Sequence, residues 1–167
     1  MPRRALSAAG VLVMVGALAV ALSPGGQAAT APVPRAETGV SVLSQPVQHI
    51  DVDGARLGYR VAGRGMPLVL ITGSSSTMAE WDPRLIDPLA RHHRVIVFDN
   101  RGAGTSTGSI DRLTIALMAR DTEQLIDKVA GGRADVLGWS MGGYVAQKVA
   151  IRYPDRVRRL VLASTDC

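Results

Sequence analysis

Four runs along the chain are apolar at nearly every position rather than at every second one. They are Leu68 to Ile71, Val95 to Phe98, a shorter run within ADVLGWS (134–140), and Leu160 to Ala163. A strand apolar on both sides is buried on both faces, as in a parallel sheet sandwiched between helices. Ahead of them, VQHIDVDGARLGYRVAG (47–63) predicts two short strands around Asp53-Gly54, a hairpin turn pair. Between the runs the apolar period changes to that of a helix. Pro83 to Arg91 carries Leu85, Ile86, Leu89 and Ala90 at that spacing, with Asp82 as N-cap and Pro83 at the first helical position. Pro88 inside this stretch is expected to kink or interrupt it. Leu113 to Val129 shows Ile115, Met118, Leu125 and Val129 on one face, and Gly131-Gly132 stops it. Gly142 to Tyr153 carries Val145, Val149 and Ala150, and Pro154 closes it. The order is hairpin, then strand and helix in alternation, ending on a strand. That predicts an α/β fold, doubly wound, behind an antiparallel edge. No internal repeat interrupts it.

The first 46 residues follow a different pattern. Arg3 and Arg4 precede an apolar run, Ala8 to Leu22, broken by Ser23-Pro24-Gly25-Gly26. At roughly 15 residues the run is shorter than the ~20 that a spanning helix needs, so it reads as a secretory signal. Small residues at Gly26 and Ala28 place cleavage after Ala28, with Ala29 as the alternative. An uncleaved membrane anchor is the competing reading. No cysteine lies just after the run, which excludes a lipid-modified one. Residues 29–46, with Pro32, Pro34 and few large apolar side chains, read as a flexible linker. The expected organisation is therefore a signal peptide at 1–28, a linker at 29–46 and one folded unit at 47–167, exported from the cytoplasm and without a stable membrane anchor once cleaved.

Composition narrows this picture only a little. The formal net charge is +5, but Arg3 and Arg4 belong to the leader and the other arginines are mixed among acids. Nucleic-acid binding wants a concentrated basic stripe, which is missing. The single cysteine, Cys167, permits no internal disulfide and no cysteine-based metal site.

The stretch VLGWSMGGYVAQ (136–147) carries the chemistry. Its Gly138-Trp139-Ser140-Met141-Gly142 lies where the third run ends and a helix begins. That is the carboxyl end of a parallel strand, where open α/β sheets build their sites. A sharp strand-to-helix turn strains the backbone at Ser140 and leaves no space for neighbouring side chains, which Gly138, Gly142 and Gly143 satisfy. The serine then stands above the sheet as a candidate nucleophile. The helix N-terminus aims free N–H groups at the same place, and the Met141 N–H is set to bind a developing oxyanion.

This segment resembles the nucleophile elbow of the α/β-hydrolase superfamily. Three further stretches agree. LVLITGSSSTMAEWDP (68–83) resembles the family's strand-three loop, with Thr72 where a histidine is usual, followed by Gly73, and Trp81 matching a tryptophan. FDNRGAGTS (98–106) resembles the Asp-x-Arg-Gly-x-Gly-x-Ser turn after its fourth strand, and YPDRVRRLVLAST (153–165) the approach to its sixth. The likeness covers about Val47 to Asp166. It implies an α/β-hydrolase-like three-layer sandwich, present here through about the family's sixth strand and lacking the last two strands and the lid. It is nearest to esterases, lactonases and cofactor-free haloperoxidase-like members. Family dehalogenases and epoxide hydrolases place Asp at the nucleophile position, against Ser140. The resemblance implies a Ser140 acyl-enzyme on an ester, lactone or related acyl bond of a small-molecule substrate. It implies the Ser74 N–H as second oxyanion donor, and neither cofactor nor metal.

In this family the order is serine, acid, histidine. His49, His92 and His93 all precede Ser140, and no histidine follows it. His49 falls in the first hairpin strand and His92-His93 at the start of a buried strand, so none reads as catalytic. No carboxylate cluster makes His92-His93 a metal site. Asp166 occupies a position that a minority of members use for the acid. Asp99 and Arg101 read as braces for their loop. Ser74, Ser75 and Ser76 lack the Gly-Lys continuation of a phosphate loop. Trp81 and Trp139 read as packing residues, Trp139 also as a candidate wall of an acyl pocket. Without a histidine, Ser140 has no general base, and Leu160 to Ala163 is expected to form an unpaired apolar edge. Three readings follow: the N-terminal portion of a secreted serine hydrolase, inactive alone; a non-catalytic binding module; or half of a split enzyme with a complementing C-terminal half.

Overall fold

A computed structural model describes residues 41–166, together with the backbone of residues 11–13. Apart from Val11–Val13, the expected signal peptide lies outside the described residues, as does most of the expected linker. The sheet contains β1 (Val11–Val13), β2 (Gln48–Val52), β3 (Ala55–Ala62), β4 (Met66–Ile71), β5 (His93–Phe98), β6 (Ala134–Trp139) and β7 (Val157–Ala163). Their spatial order is β1-β7-β6-β4-β5-β3-β2. β2 and β3 form the antiparallel hairpin, turning at Gly54 with φ 69°, and β3 meets β5 antiparallel. β5, β4, β6 and β7 are parallel. The helices are α1 (Pro83–Ala90), α2 (Ile115–Ala130) and α3 (Met141–Arg152).

The doubly apolar runs divide between two cores by alternation. Val69, Ile71, Ile96, Phe98 and Val136 face α2 and α3, against Leu125, Ile126, Val145 and Val149. Their neighbours Leu68, Leu70, Val95 and Val97 face the other way, against Ile86 of α1, Val42, Met78 and Trp81. Period-two side chains on a strand covered on both sides give three layers.

Three expectations change. Pro88 does not interrupt its helix. It sits in the last turn of α1, where its missing N–H removes one bond shortly before the Arg91 and His92 N–H groups close the end on Pro88 and Leu89 carbonyls. The packed unit begins before Val47. Val42–Ser44 forms a 3-10 turn, Val42 is fully buried, and its N–H donates to Asp87 Oδ1 at 2.9 Å, while the Arg60 guanidinium donates to the Leu43 and Gln45 carbonyls. The Leu160–Ala163 edge is not bare throughout, because β1 pairs parallel with it from Leu160 to Leu162. A strand edge presents free N–H and C=O groups that the backbone of another extended segment can satisfy.

A buried ion pair ties the layers together. Arg101, on the turn after β5, donates to both carboxylate oxygens of Asp121 in α2 at 2.9 and 2.7 Å, and to the Asp53 and Gly54 carbonyls of the hairpin turn. Both side chains are about 5% exposed. Burial pushes the Asp121 carboxyl above its ordinary value, and the Arg101 hydrogen bonds pull it back. Asp121→Ala leaves the guanidinium buried and uncompensated, so a loss of about 3–5 kcal/mol is expected. Arg84→Ala, at the exposed Arg84–Asp82 pair, is expected to leave stability nearly unchanged. Urea unfolding of the two variants makes the comparison, and similar midpoints would refute this role for Arg101–Asp121.

Candidate active site

Ser140 lies on the turn between β6 and α3 and is half-buried. Its backbone sits at φ 54°, ψ −122°, a conformation a side chain adopts only at a cost. Two hydrogen bonds hold it there. The Ser140 N–H donates to the Ala163 carbonyl of β7 at 2.9 Å, and the Ser140 carbonyl accepts from the Gly143 N–H at 2.8 Å. The surrounding glycines leave no alternative. A methyl carbon at Gly138 would strike the Gly142 carbonyl and lie 2.7 Å from Gly143 Cα. One at Gly142 would strike the Ile71 carbonyl and lie 2.6 Å from that of Thr72. The first turn of α3 is thus pressed onto the end of β4, and the free N–H of Met141 opens the helix beside Ser140.

The loop after β4 lies alongside. A methyl carbon at Gly73 would be 3.3 Å from Ser140 Cβ and 3.4 Å from the Trp139 ring. Ser74, whose N–H is the expected second oxyanion donor, follows directly and is exposed, and Ser75 has φ 58°. Thr72, where the resemblance leads one to expect a histidine, is buried. Its hydroxyl donates to the Ser76 carbonyl at 3.4 Å and accepts from Asn100 Nδ2 at 3.2 Å. Asp99 completes the bracing. Its Oδ1 accepts from the Met78 N–H and its Oδ2 from the Thr105 N–H and hydroxyl, each at 2.7 Å. Asp99 and Arg101 both brace loops. Asn100 is the residue that sequence reasoning missed. Its signal is a polar side chain directly after a fully apolar strand, at only 6% exposure.

The other candidates separate. His93 opens β5 at the amino end of the sheet, with His92 just before it, opposite the end that carries Ser140. His49 sits on β2, four strands from β6, or about 19 Å at roughly 4.8 Å per strand. Its ring nitrogen instead lies 3.3 Å from the Thr105 carbonyl. Asp166 rests against α3. Its carboxylate is 3.5 Å from the Tyr144 hydroxyl and its carbonyl accepts from Gln147 Nε2 at 2.7 Å. The indoles of Trp81 and Trp139 form a tilted pair with centroids 6.3 Å apart. Among the described residues no group of three or more His, Cys, Asp or Glu side chains could hold a metal ion.

The profile of a family described as the alpha/beta hydrolase fold matches residues 66–167. A protein provisionally named carbamate hydrolase RutD, from Azorhizobium caulinodans, is 34% identical over 66% of this chain and 41% of its own length. The 2-hydroxymuconate semialdehyde hydrolase of Pseudomonas sp. is 38% identical over 65% of this chain and 40% of its own. A solved structure of a hydrolase from Pseudomonas aeruginosa superposes with a TM-score of 0.66 and 38% identity, over 71% of this chain and 46% of that one. The chain spans less than half the length of each of these relatives.

Two glycines test the steric account of the turn. Gly131, the C-cap of α2 at φ 78°, has open space around it, so Gly131→Ala is expected to cost only the ~1 kcal/mol of a left-handed non-glycine residue. Gly142→Ala is expected to cost well beyond the ~1–3 kcal/mol of ordinary overpacking, because backbone carbonyls cannot rotate away. Thermal unfolding of the pair decides, and equal melting temperatures would count against the account.

Proposed function

The chain belongs to the α/β-hydrolase family, and from that premise we propose that Ser140 is the nucleophile of a hydrolase of esters, lactones or related acyl bonds. The observation that carries this reading is the positive φ of Ser140 at a turn where the positions two residues to either side, Gly138 and Gly142, have no room for a Cβ. Strain of this kind persists where the surrounding structure imposes it, and it concentrates at functional sites. The Ser140 hydroxyl oxygen attacks the acyl carbon, and its proton passes to a base. The carbonyl oxygen takes up negative charge, which the N–H groups of Met141 and Ser74 receive. The bond to the leaving oxygen or nitrogen then breaks, that atom takes a proton, and the acyl-enzyme is released by water. This chemistry needs neither metal nor organic cofactor.

The base is the part these 167 residues do not place. His49, His92 and His93 stand too far away or at the wrong end of the sheet, and no histidine follows Ser140. We assign the base to further polypeptide, such as the relatives possess. The Arg3-Arg4 pair and the apolar run Ala8 to Leu22 support export, which would set the reaction outside the cytoplasm.

The 167-residue chain alone is expected to hydrolyse p-nitrophenyl acyl esters no faster than its Ser140→Ala variant, since a triad without its histidine loses several powers of ten in rate. Steady-state release of p-nitrophenol measures this. Turnover that Ser140→Ala abolishes would place a working base within these residues and overturn the assignment. For a chain extended through the downstream coding sequence, Ser140→Ala is expected to abolish turnover, and retained turnover would remove Ser140 as nucleophile.

A further inference from the structure

β7 has one edge against β6 and the other turned away from it. Among the described residues, that outer edge is used by β1 alone. β1 runs parallel to β7, with Val11 opposite Leu160, Leu12 opposite Val161 and Val13 opposite Leu162. These three residues belong to the apolar run Ala8 to Leu22 that follows Arg3 and Arg4. The run therefore has two destinations. In a lipid bilayer its backbone groups must be satisfied within the segment, which demands a helix. On β7 they are satisfied by the sheet, which demands an extended chain. One stretch of backbone cannot do both at once.

We infer that the outer edge of β7 is a binding site for the chain's own leader, and that folding thereby withdraws the leader from membranes. The leader's sequence suits a strand. Val11, Val13 and Val15 put β-branched residues at every second position between Gly10 and Gly16, a pattern that favours extended backbone over helix. The connection is long enough for pairing within one chain. The 27 residues 14–40 can extend to about 90 Å. The sheet order sets β1 five strands from β3, whose Arg60 holds the Leu43 carbonyl, or about 24 Å at roughly 4.8 Å per strand. Order of synthesis separates the two fates. Residues 157–163 form β7, so its edge exists only when nearly all of the 167 residues have been made. Before that point the leader is free to enter a membrane, and afterwards the sheet competes for it. Three paired residues make a small contact, so the leader's membrane affinity falls several-fold and is not abolished. The inference rests on the export reading of the leader and is independent of the chemistry at Ser140.

Amide hydrogen exchange of the 167-residue chain reads the pairing. Successive N–H groups of a strand point to opposite sides, so Leu12→Pro combined with Val13→Pro removes whichever one faces β7. Amides among Leu160 to Leu162 that face β1 are expected to exchange about tenfold faster in this double variant, while those of β4 keep their rates. Unchanged rates at Leu160 to Leu162 would overturn the proposal. Vesicles of phosphatidylglycerol and phosphatidylcholine read the masking. A synthetic peptide of residues 1–28 is expected to bind them several-fold more tightly than the folded chain does. Val11→Leu combined with Val13→Leu keeps the leader apolar but favours a helix, and is expected to raise the chain's vesicle affinity toward that of the peptide. Equal affinities of the wild-type chain and the peptide would refute the masking. A peptide that does not bind would remove the export reading and this proposal with it, leaving Ser140 untouched. Protection that falls on dilution, together with dimer mass in sedimentation, would assign the pairing to two copies and overturn the proposal likewise.

Discussion

The contact between Gly142 and the carbonyls of Ile71 and Thr72 is the constraint on which the site depends. It brings the start of α3 within backbone distance of the end of β4, and so sets how sharply the chain turns at Ser140. The turn cannot relax, because Gly138 is packed against Gly142 and Gly143 from below, and Ala163 holds the Ser140 N–H from the side. Three parallel strands thus meet at one residue: β6 carries it, β4 supports the helix that follows it, and β7 fixes its backbone. A backbone held this way is set before any ligand arrives, as the role proposed for Ser140 requires.

Around that point, polar residues perform the bracing usually left to apolar packing. Asp99, Asn100 and Arg101 follow one another at the end of β5 and are all buried, each aimed at a different element. Asp99 reaches the loop before α1 and the turn at Thr105, Asn100 reaches Thr72, and Arg101 reaches α2 and the hairpin turn. Such a network stabilises only when every member is satisfied. The Thr72 hydroxyl supplies both a donor and an acceptor, so one small group ties the loop after β4 to the end of β5.

Much of this was legible in the sequence. Uniformly apolar runs announced the parallel strands, Asp53-Gly54 the hairpin, and the glycines around Ser140 the elbow, because each depends on residues adjacent in the chain. The parts that stayed hidden depend on distant partners. Val42 sits among prolines and polar residues with no period of its own, and only Asp87 and Arg60 reveal that it is packed. Asn100 carries meaning only when Thr72 is beside it. The pairing of Val11–Val13 with β7 joins segments nearly 150 residues apart, which no local pattern announces. Pro88 misled for a related reason, since its cost depends on how near the helix end lies, and sequence boundaries are uncertain by a residue or two.

The sheet order bears on how the molecule is made. β4 lies in the middle of the parallel strands, and both of its neighbours, β5 and β6, come later in the chain. During synthesis the sheet therefore grows outward from a strand completed early, first to one side with β5 and then to the other with β6 and β7. Each new parallel strand meets a finished template, which shortens the search that makes parallel sheets slow to form. The hairpin of β2 and β3 covers β5 and leaves β2 as the edge strand on that side. On the other side the growing edge passes from β4 to β6 to β7, where β1 pairs with it from Leu160 to Leu162. Until β7 is paired, the edge nearest the serine is thus the one where a nascent chain is open to misassociation.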